Sequence, residues 1–327
     1  MKRFIATTLA AAALALAAAP ATAQVERWVA EGWQTDFSQS EVDFAEIRTI
    51  IPADNIPSID DPVFVPVTAD LDLVDREPVI GIEINGDARA YPLRIMMWHE
   101  IANDTVGGVP VVVTFCPLCN TAIAFEREVD GTLLDFGTTG KLRFSDLVMY
   151  DRQTETWWQQ FSGRALVGDY VGTRLPLVPV RLMAWEEFRA DHPGGQVLVP
   201  NDEDMRQYWR NPYVGYDSAT APFLYDGPLP DGMPAMQRVL LVRSDPLMAF
   251  TMALVEEEGE ITENGVTIRW NPGQLSALDA VRFDESREVG GVEVVRVVDG
   301  EEVPVAHDVT FAFVLNAFEP FLEIRAE

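Results

Sequence analysis

Short apolar runs rich in β-forming residues, separated by turn signals, dominate the chain from about position 78 onward. Val79–Ile84 is predicted to be a strand, Asn85-Gly86-Asp87 a tight hairpin turn, and Ala88–Leu93 the returning strand. Val111–Phe115 is predicted to be a buried strand that runs directly into Cys116. This part of the chain is therefore expected to consist of short strands and hairpins.

The same pattern continues after the cysteines. Thr121–Glu128 alternates as a strand, Asp130-Gly131 forms a turn, and Thr132–Phe136 returns. Further strands are predicted at Leu147–Asp151, Thr156–Phe161 and Ala165–Gly168. Short helices are predicted at Arg94–Asn103 and Ala184–Ala190. We therefore predict an α+β fold that is rich in β-structure.

The chain divides by pattern into five predicted segments. These are a signal peptide at 1–23, an N-terminal strap at 24–60, a first half at 61–199, an irregular connector at 200–235 and a second half at 236–327. The connector is rich in Pro, Asp and Tyr, and it is too aromatic for a flexible linker. The two halves are predicted to share one core rather than to form independent domains.

The second half is weakly similar to the first. Asn264–Trp270 corresponds to Gly107–Phe115. Asn271-Pro272-Gly273-Gln274 then stands where Cys116-Pro117-Leu118-Cys119 stands in the first half. A degenerate internal repeat and chance similarity both explain the match, which needs gaps. If the repeat is real, the fold itself does not require the two thiols.

The N-terminal residues have the features of a cleavable secretory signal. Lys2 and Arg3 give a basic start, and Ile5–Ala19 is an apolar run dominated by Ala and Leu. Ala21-Thr22-Ala23 fits the small-x-small rule for cleavage before Gln24. The run is short and rich in Ala for a membrane span, so a retained anchor is the weaker interpretation. We therefore predict a periplasmic or secreted protein without a membrane span.

The charge balance narrows the classes of partner. Asp and Glu outnumber Lys and Arg by 52 to 24, which gives a formal net charge of −28 at pH 7. Such a surface repels phosphate backbones and anionic lipid headgroups, so it argues against nucleic acid and lipid partners. It favours cations, including metal ions, although solubility alone also explains it. The expected partner is a metal ion, a small molecule or a redox partner.

The chain has only two cysteines, Cys116 and Cys119. In an oxidising compartment they could pair, but a disulfide across so short a loop removes little entropy from the unfolded chain. A Cys-x-x-Cys pair is better explained by redox chemistry or metal binding. If the pair is redox-active, Cys116 is predicted to be the more reactive thiol, with a pKa below the usual value of about 8.5.

The flanks of the pair distinguish these two functions. A thioredoxin-like motif follows a strand and opens a helix, whereas the segment after Cys119 alternates as a strand. A Cys-Pro-Leu-Cys segment between two strands is typical of a metal knuckle, in which a tight turn directs both sulfurs at one ion. A second knuckle is absent from the sequence, so a histidine would have to complete the site.

The chain contains three histidines, His99, His192 and His307. His99 lies 17 residues before Cys116, on a segment connected to the cysteine strand, and is the preferred third ligand or proton carrier. Glu100 beside it is a second candidate proton carrier. A Cys₂His set with an open fourth position could hold copper, zinc or iron. Whether His192 or His307 joins the site is left open.

Several motifs together resemble a bacterial and archaeal family known as domain of unknown function 3179. They are Ala90-Tyr91-Pro92-Leu93, Trp98-His99-Glu100-Ile101, Asn103-Asp104, Cys116-Pro117-Leu118-Cys119, Asp151-Arg152-x-Thr154 and Trp158-x-Gln160-x-x-Gly163. The resemblance extends from about Ile51 to the C-terminus. One departure is Asn120, where similar proteins tend to have Gly. The resemblance implies export and one architecture, and it implies no activity.

Three functional hypotheses follow from these observations. The first is a periplasmic metal-binding protein or metalloenzyme with Cys116, Cys119 and His99 as ligands. The second is a thiol–disulfide oxidoreductase in which Cys116 attacks, Cys119 resolves, and His99 or Glu100 moves protons. The third is a non-catalytic binding or interaction protein whose cysteine pair is a local staple of the turn.

Overall fold

The computed structural model describes residues 22–326. The predicted signal segment, 1–23, lies almost entirely outside the described residues. Within them, no helix combines the length and the apolar character that crossing a bilayer requires. The fold is α+β and rich in β-structure, as the hydrophobic pattern predicts.

Five short α-helices are distributed along the described chain. They are α1 (residues 22–31), α2 (Leu93–His99), α3 (Trp185–Asp191), α4 (Met252–Glu258) and α5 (Ala312–Phe318). Single turns of 3₁₀-helix occur at Phe44–Glu46, Tyr216–Ser218 and Phe283–Glu285.

The strands of the first part of the chain are β1 (Ile47–Thr49), β2 (Val63–Pro66), β3 (Pro78–Ile84), β4 (Asp87–Pro92), β5 (Ile101–Val106), β6 (Val109–Cys116), β7 (Thr121–Glu126), β8 (Glu128–Val129), β9 (Thr132–Leu133), β10 (Phe136–Arg143), β11 (Asp146–Asp151), β12 (Trp157–Gln159), β13 (Ala165–Val167), β14 (Leu177–Val178), β15 (Arg181–Ala184) and β16 (Gln196–Val199). Those of the second part are β17 (Arg238–Val242), β18 (Met248–Thr251), β19 (Glu260–Glu263), β20 (Val266–Asn271), β21 (Gly291–Val298), β22 (Glu301–Pro304), β23 (His307–Phe311) and β24 (Ile324–Arg325).

These strands form five sheets of four or five strands and one short hairpin. The sheet orders are β1-β10-β11-β12-β13, β14-β7-β6-β5, β15-β3-β4-β16-β2, β23-β17-β18-β24 and β19-β20-β21-β22, with β8-β9 as the hairpin. The second sheet carries the Cys-x-x-Cys turn. The first sheet lies beside that turn and provides the residues at the start of β11.

Two of these sheets have the same pairing pattern. In β15-β3-β4-β16 the successive pairs are antiparallel, antiparallel and parallel, and β23-β17-β18-β24 repeats that order of pairings. In both sheets a seven-residue helix follows the second strand of the hairpin directly, α2 after β4 and α4 after β18. This is the pattern that an internal duplication would produce, and the duplication itself stays a prediction.

The connection after β20 differs from the cysteine turn. Strand β20 ends at Asn271, so Asn271-Pro272-Gly273-Gln274 begins a connection to β21, just as Cys116 begins the connection from β6 to β7. However, the next strand starts only at Gly291, whereas β7 starts at Thr121. The predicted correspondence therefore holds for the start of the turn and not for its length.

The largest apolar cluster contains residues of both predicted halves. Val112 and Phe125 of the cysteine hairpin belong to the same cluster as Val239 and Phe311 of the second half. Each of these side chains is fully buried. Such burial is the main favourable contribution to folding, at roughly 25 cal/mol per Å² of apolar surface. The cysteine turn is thereby fixed against elements that are distant in sequence.

The predicted helix at Arg94–Asn103 is too long. Helix α2 ends at His99, because Glu100 takes a left-handed conformation (φ 60°, ψ −27°) and donates its backbone N–H to Met96 O at 2.7 Å. Ile101 then starts strand β5. The sequence pattern predicts that the helix continues to Asn103, but the backbone from Ile101 onward pairs with strand β6, which ends at Cys116.

Candidate metal centre

The two cysteines lie at the ends of a tight hairpin turn. Strand β6 ends at Cys116 and β7 begins at Thr121, and these two residues are paired across the hairpin. Within the turn, Cys119 N donates to Cys116 O at 3.2 Å. A strand follows the turn, so the knuckle geometry predicted from the flanks is present and the helix of a thioredoxin-like motif is not.

Asn120 closes this turn in a left-handed conformation, with φ 55°. Gly and Asn adopt this conformation at the lowest cost, so Asn is compatible with a position where Gly would be expected. The Asn120 side chain also donates to Val309 O of strand β23 at 2.8 Å. The Asn120 side chain therefore bonds the turn to the second half of the chain, and glycine, which has no side chain, could not make this bond.

Asp146, at the start of β11, joins the two thiols. One ligand atom from each of Cys116, Cys119 and Asp146 lies within 4.8 Å of the other two, and all three residues are buried. Among the described residues this is the one group of three such side chains that could hold a metal ion. These residues therefore form a candidate centre of two sulfurs and one carboxylate oxygen.

The two oxygens of Asp146 have different surroundings. Oδ2 accepts hydrogen bonds from Gln159 Nε2 at 2.5 Å and from the backbone N–H of Phe161 at 2.9 Å. Oδ1 is buried and accepts no hydrogen bond of good geometry, although both thiols lie close enough to stabilise the Asp146 carboxylate. An unpaired buried acceptor costs about 1–3 kcal/mol, so Oδ1 is an oxygen available to a ligand.

Ser145 contributes its backbone carbonyl to the same place. The thiols of Cys116 and Cys119 donate to Ser145 O at 3.7 Å and 3.5 Å. Phe144 and Ser145 both have left-handed backbones, with φ 54° and 64°. A non-glycine residue pays roughly 1–2 kcal/mol for that conformation, so strain is concentrated in the turn that places Asp146.

The buried position raises the pKa of both thiols. Burial is the main cause for Cys116, whose pKa is raised, and for Cys119, whose pKa lies well above the ordinary value. The prediction that the Cys116 pKa lies below about 8.5 is therefore wrong for the metal-free protein, because a buried thiolate loses its hydration. The hydrogen bond with Cys119 does favour the Cys116 thiolate.

The neighbouring carboxyl groups are perturbed in the same direction. Burial raises the pKa of Asp146 to about 6. Burial, followed by the charge of Asp146, raises the pKa of Glu100 to about 8. Burial and neighbouring acidic groups, rather than cationic side chains, are the main causes that raise the pKa values of the two carboxyl groups and the two thiols. The centre therefore concentrates acidic groups.

His99 is not part of this group. Its Nδ1 is bonded to Pro57 O at 2.7 Å and its Nε2 to Tyr208 Oη at 2.8 Å, so both ring nitrogens already have partners. The structure therefore assembles a Cys₂Asp group where the sequence suggested Cys₂His. The other histidines are also elsewhere. His192 Nδ1 lies 3.3 Å from Glu83, and His307 Nδ1 is bonded to Val305 O at 2.9 Å.

Two further parts of the chain cover the turn. In strand β23, Thr310 Oγ1 donates to Cys119 O at 2.8 Å. From the connector, Tyr216 Oη donates to Leu118 O at 3.0 Å, and Phe223 O accepts from Ser145 Oγ at 2.6 Å. We call the connector residues 213–225 the cover. The centre is thus enclosed by the second half and by this segment.

The comparisons with known proteins agree with the sequence resemblance. A family model described as Protein of unknown function (DUF3179) matches residues 53–321, which include both cysteines, Asp146 and Glu100. No curated protein and no solved structure matches the chain. Because the family model covers well over half of the 327 residues, the chain belongs to the DUF3179 family, as its motifs predicted.

Proposed function

We propose that this chain is an exported metal-binding protein that holds one zinc ion between Cys116, Cys119 and Asp146. The observation that carries the proposal is the buried Asp146 Oδ1, which has no hydrogen-bond partner and belongs to a group of three ligand atoms within 4.8 Å of one another. A metal bond would satisfy this oxygen and remove the cost of leaving it unpaired.

The electrostatics of the group support a bound cation. Two thiolates and a carboxylate would place three negative charges in a buried region, and the neighbouring Glu100 is acidic as well. Buried charges of one sign are stable only when they are paired or coordinate a metal. A divalent ion offsets two of these three negative charges and draws the thiols into their deprotonated form.

The donor set favours zinc over the other candidate metals. Cu(I) prefers soft thiolate and thioether ligands, and a carboxylate oxygen is a hard ligand. Zinc accepts sulfur and carboxylate oxygen in one tetrahedral site. Iron also binds such donors, so zinc and iron are the metals consistent with Asp146, and zinc is the one we propose.

The geometry gives less support to thiol–disulfide exchange. Both thiols are buried, both have raised pKa values, and a strand rather than a helix follows them. An attacking cysteine needs an accessible thiolate. The proposed location outside the cytoplasm rests on the N-terminal sequence, and an ion bound by both sulfurs would protect them from oxidation there.

The proposal predicts the metal content of the exported chain. After purification from the periplasm under reducing, chelator-free conditions, elemental analysis should find about one zinc ion per chain. Cys116→Ser, Cys119→Ser and Asp146→Asn should each retain less than a tenth of that amount, because each variant removes one of three ligands.

Asp151→Asn is the matched control. Asp151 is at the other end of β11 and is as buried as Asp146, but its oxygens already accept from Thr154 and Trp158. This variant should keep its zinc. Metal-free wild type, or full metal content in Asp146→Asn, would contradict the proposed function.

A further inference from the structure

A cavity separate from the candidate metal centre lies between the two predicted halves of the chain. Its volume is about 390 Å³, and Cys116, Cys119 and Asp146 are not among the residues that line it. Strand β3, strand β15 with the turn before it, and the end of α3 form one side. Strand β21 and the turn between β22 and β23 form the other. Small-molecule sites are concave and typically measure about 300–1,000 Å³, so this cavity is large enough for a ligand.

Most of the cavity wall is apolar. Val178 and Val180 on the first side belong to the large apolar cluster that also contains the cysteine hairpin. Val294 and Val305 on the other side belong to a separate apolar cluster of the second half. An occupant with an apolar body would therefore bury surface against both clusters, and this burial favours binding.

His307 also lines the cavity and supplies a polar group with a defined role. Its Nδ1 is bonded to Val305 O at 2.9 Å, and because a carbonyl oxygen only accepts, Nδ1 carries the proton of the neutral ring. Nε2 then has a free lone pair and no hydrogen-bond partner among the described residues. It is also not one of the fully enclosed side-chain atoms that lack a partner. This nitrogen can therefore accept a hydrogen bond from an occupant of the cavity.

The charged groups at the cavity disfavour anions. Three carboxylates line it, those of Glu83, Asp191 and Glu293. Arg181 is the one arginine among the lining residues, and its guanidinium already pairs with Glu187 and Asp191. An anionic ligand would therefore meet three like charges and no free cation. A cationic ligand would lose its hydration against the apolar walls, so an uncharged occupant fits best.

We propose that this cavity binds a small uncharged molecule with an apolar body and one hydroxyl group, which donates to His307 Nε2. The hydroxyl supplies the donor that Nε2 lacks, and the apolar body matches the valine-rich walls. His192 is the other histidine at the cavity, but its Nδ1 lies 3.3 Å from Glu83 Oε2, so His307 is the acceptor assigned to the ligand. A phenol or a small cyclic alcohol has both required parts. The inference is independent of the metal, because this site and the candidate centre share no residue.

Phenol and anisole are the matched probes, because they differ only in the methyl group that replaces the hydroxyl proton. NMR titration of the full chain at pH 7 should show saturable binding of phenol, with a shift of the His307 ring signals. Anisole should bind roughly tenfold more weakly, because it has no proton to donate to the buried nitrogen. Equal binding of the two probes, or binding of neither, would overturn the inference. Tighter binding of benzylamine than of phenol would also overturn it, because the site would then select a cation.

His307→Asn tests the assigned nitrogen. The asparagine amide can still donate to Val305 O, but it has no acceptor at the place of Nε2. Phenol should therefore bind this variant roughly tenfold more weakly, and the difference between phenol and anisole should disappear. A merely loosened cavity would weaken both probes and keep the difference. A difference that persists in His307→Asn would overturn the inference.

His99→Asn is the matched control. The Nδ1 of His99 is likewise bonded to a backbone carbonyl, Pro57 O at 2.7 Å, but His99 does not line this cavity. This variant should bind both probes like wild type, and loss of the difference between the probes in His99→Asn would contradict the assignment to His307. None of these results bears on the metal content of the chain, so the inference and the proposed function fail separately.

Discussion

At the scale of single residues, Asp146 links the structural and the chemical parts of the candidate centre. Its Oδ2 is held by Gln159 and by the backbone of Phe161, and this fixes the direction of the free Oδ1. Hydrogen bonds of this kind orient a ligand carboxylate already in the metal-free protein. The strained Phe144-Ser145 turn directly precedes it. The cost of that turn is understandable if it serves to place this carboxylate.

His307 gives a prediction that is independent of the metal. Burial lowers the pKa of His307 to about 4, against an ordinary value of about 6.5. Below pH 6.5 the unfolded chain binds a proton that the folded chain does not, so stability falls as the pH decreases toward 4. Between pH 7 and pH 4.5 this contributes a loss of about 2–3 kcal/mol.

Urea unfolding of metal-free protein at pH 7 and pH 4.5 measures this loss. His307→Gln should lose about 2–3 kcal/mol less than wild type over this interval, since glutamine does not titrate. Equal losses in the two proteins would show that His307 does not remain neutral in the folded state.

The sequence identifies some of these residues and not others. Cys116 and Cys119 are recognisable as candidate site residues because two thiols at this spacing between strands are typical of metal binding or redox chemistry. Asp146 is one of many acidic residues, and its position beside the thiols, directly after the turn between β10 and β11, is a long-range contact that only the folded chain shows. His99 was favoured from its proximity in sequence, but local spacing does not reveal that Pro57 and Tyr208 occupy its ring nitrogens.

At the scale of elements, the cover is bonded to the two turns that carry the candidate centre, and we expect its opening to govern the release of a bound metal. It is held over the site by the bonds from Tyr216 to Leu118 O and from Ser145 to Phe223 O. Each such bond contributes about 1 kcal/mol. The combined variant Tyr216→Phe, Ser145→Ala loses both bonds and should therefore open more often, and a chromophoric chelator should remove zinc roughly thirtyfold faster.

Tyr225→Phe is a suitable control, because the Tyr225 hydroxyl donates to Pro228 O and not to either of the turns that carry the centre. Its rate of zinc loss should equal that of wild type. The same rate in the combined variant would mean that metal leaves by another route, and the cover would then be only a structural segment.

Element types were more predictable than element ends. The hairpin β3-β4 and the strands flanking the cysteines follow the alternation of the sequence closely. The predicted helix through Asn103 was wrong beyond His99, because tertiary pairing of β5 with β6 outweighs the local helical pattern. Between residues 200 and 235 the structure has one 3₁₀ turn and no strand, and the contacts of this segment with the cysteine turn are long-range, so the sequence pattern could not reveal them.

At the scale of the whole molecule, the second half supports the centre without contributing a metal ligand. The Asn120 side chain donates to Val309 O, and Thr310 Oγ1 donates to Cys119 O. Two hydrogen bonds therefore fix the cysteine turn to strand β23. The β-rich fold class follows from the sequence pattern. The arrangement of the sheets does not, because strands as distant as β7 and β23 meet only in the folded chain.

The central claim is that one metal ion is bound by two sulfurs and by oxygen, and zinc K-edge X-ray absorption of the purified chain tests it most directly. The account predicts two sulfur scatterers at about 2.3 Å and oxygen scatterers at about 2.0–2.2 Å, without the outer-shell pattern of imidazole. Imidazole scattering would restore His99 or another histidine as a ligand and contradict the Cys₂Asp centre. A first shell without sulfur would contradict the account altogether.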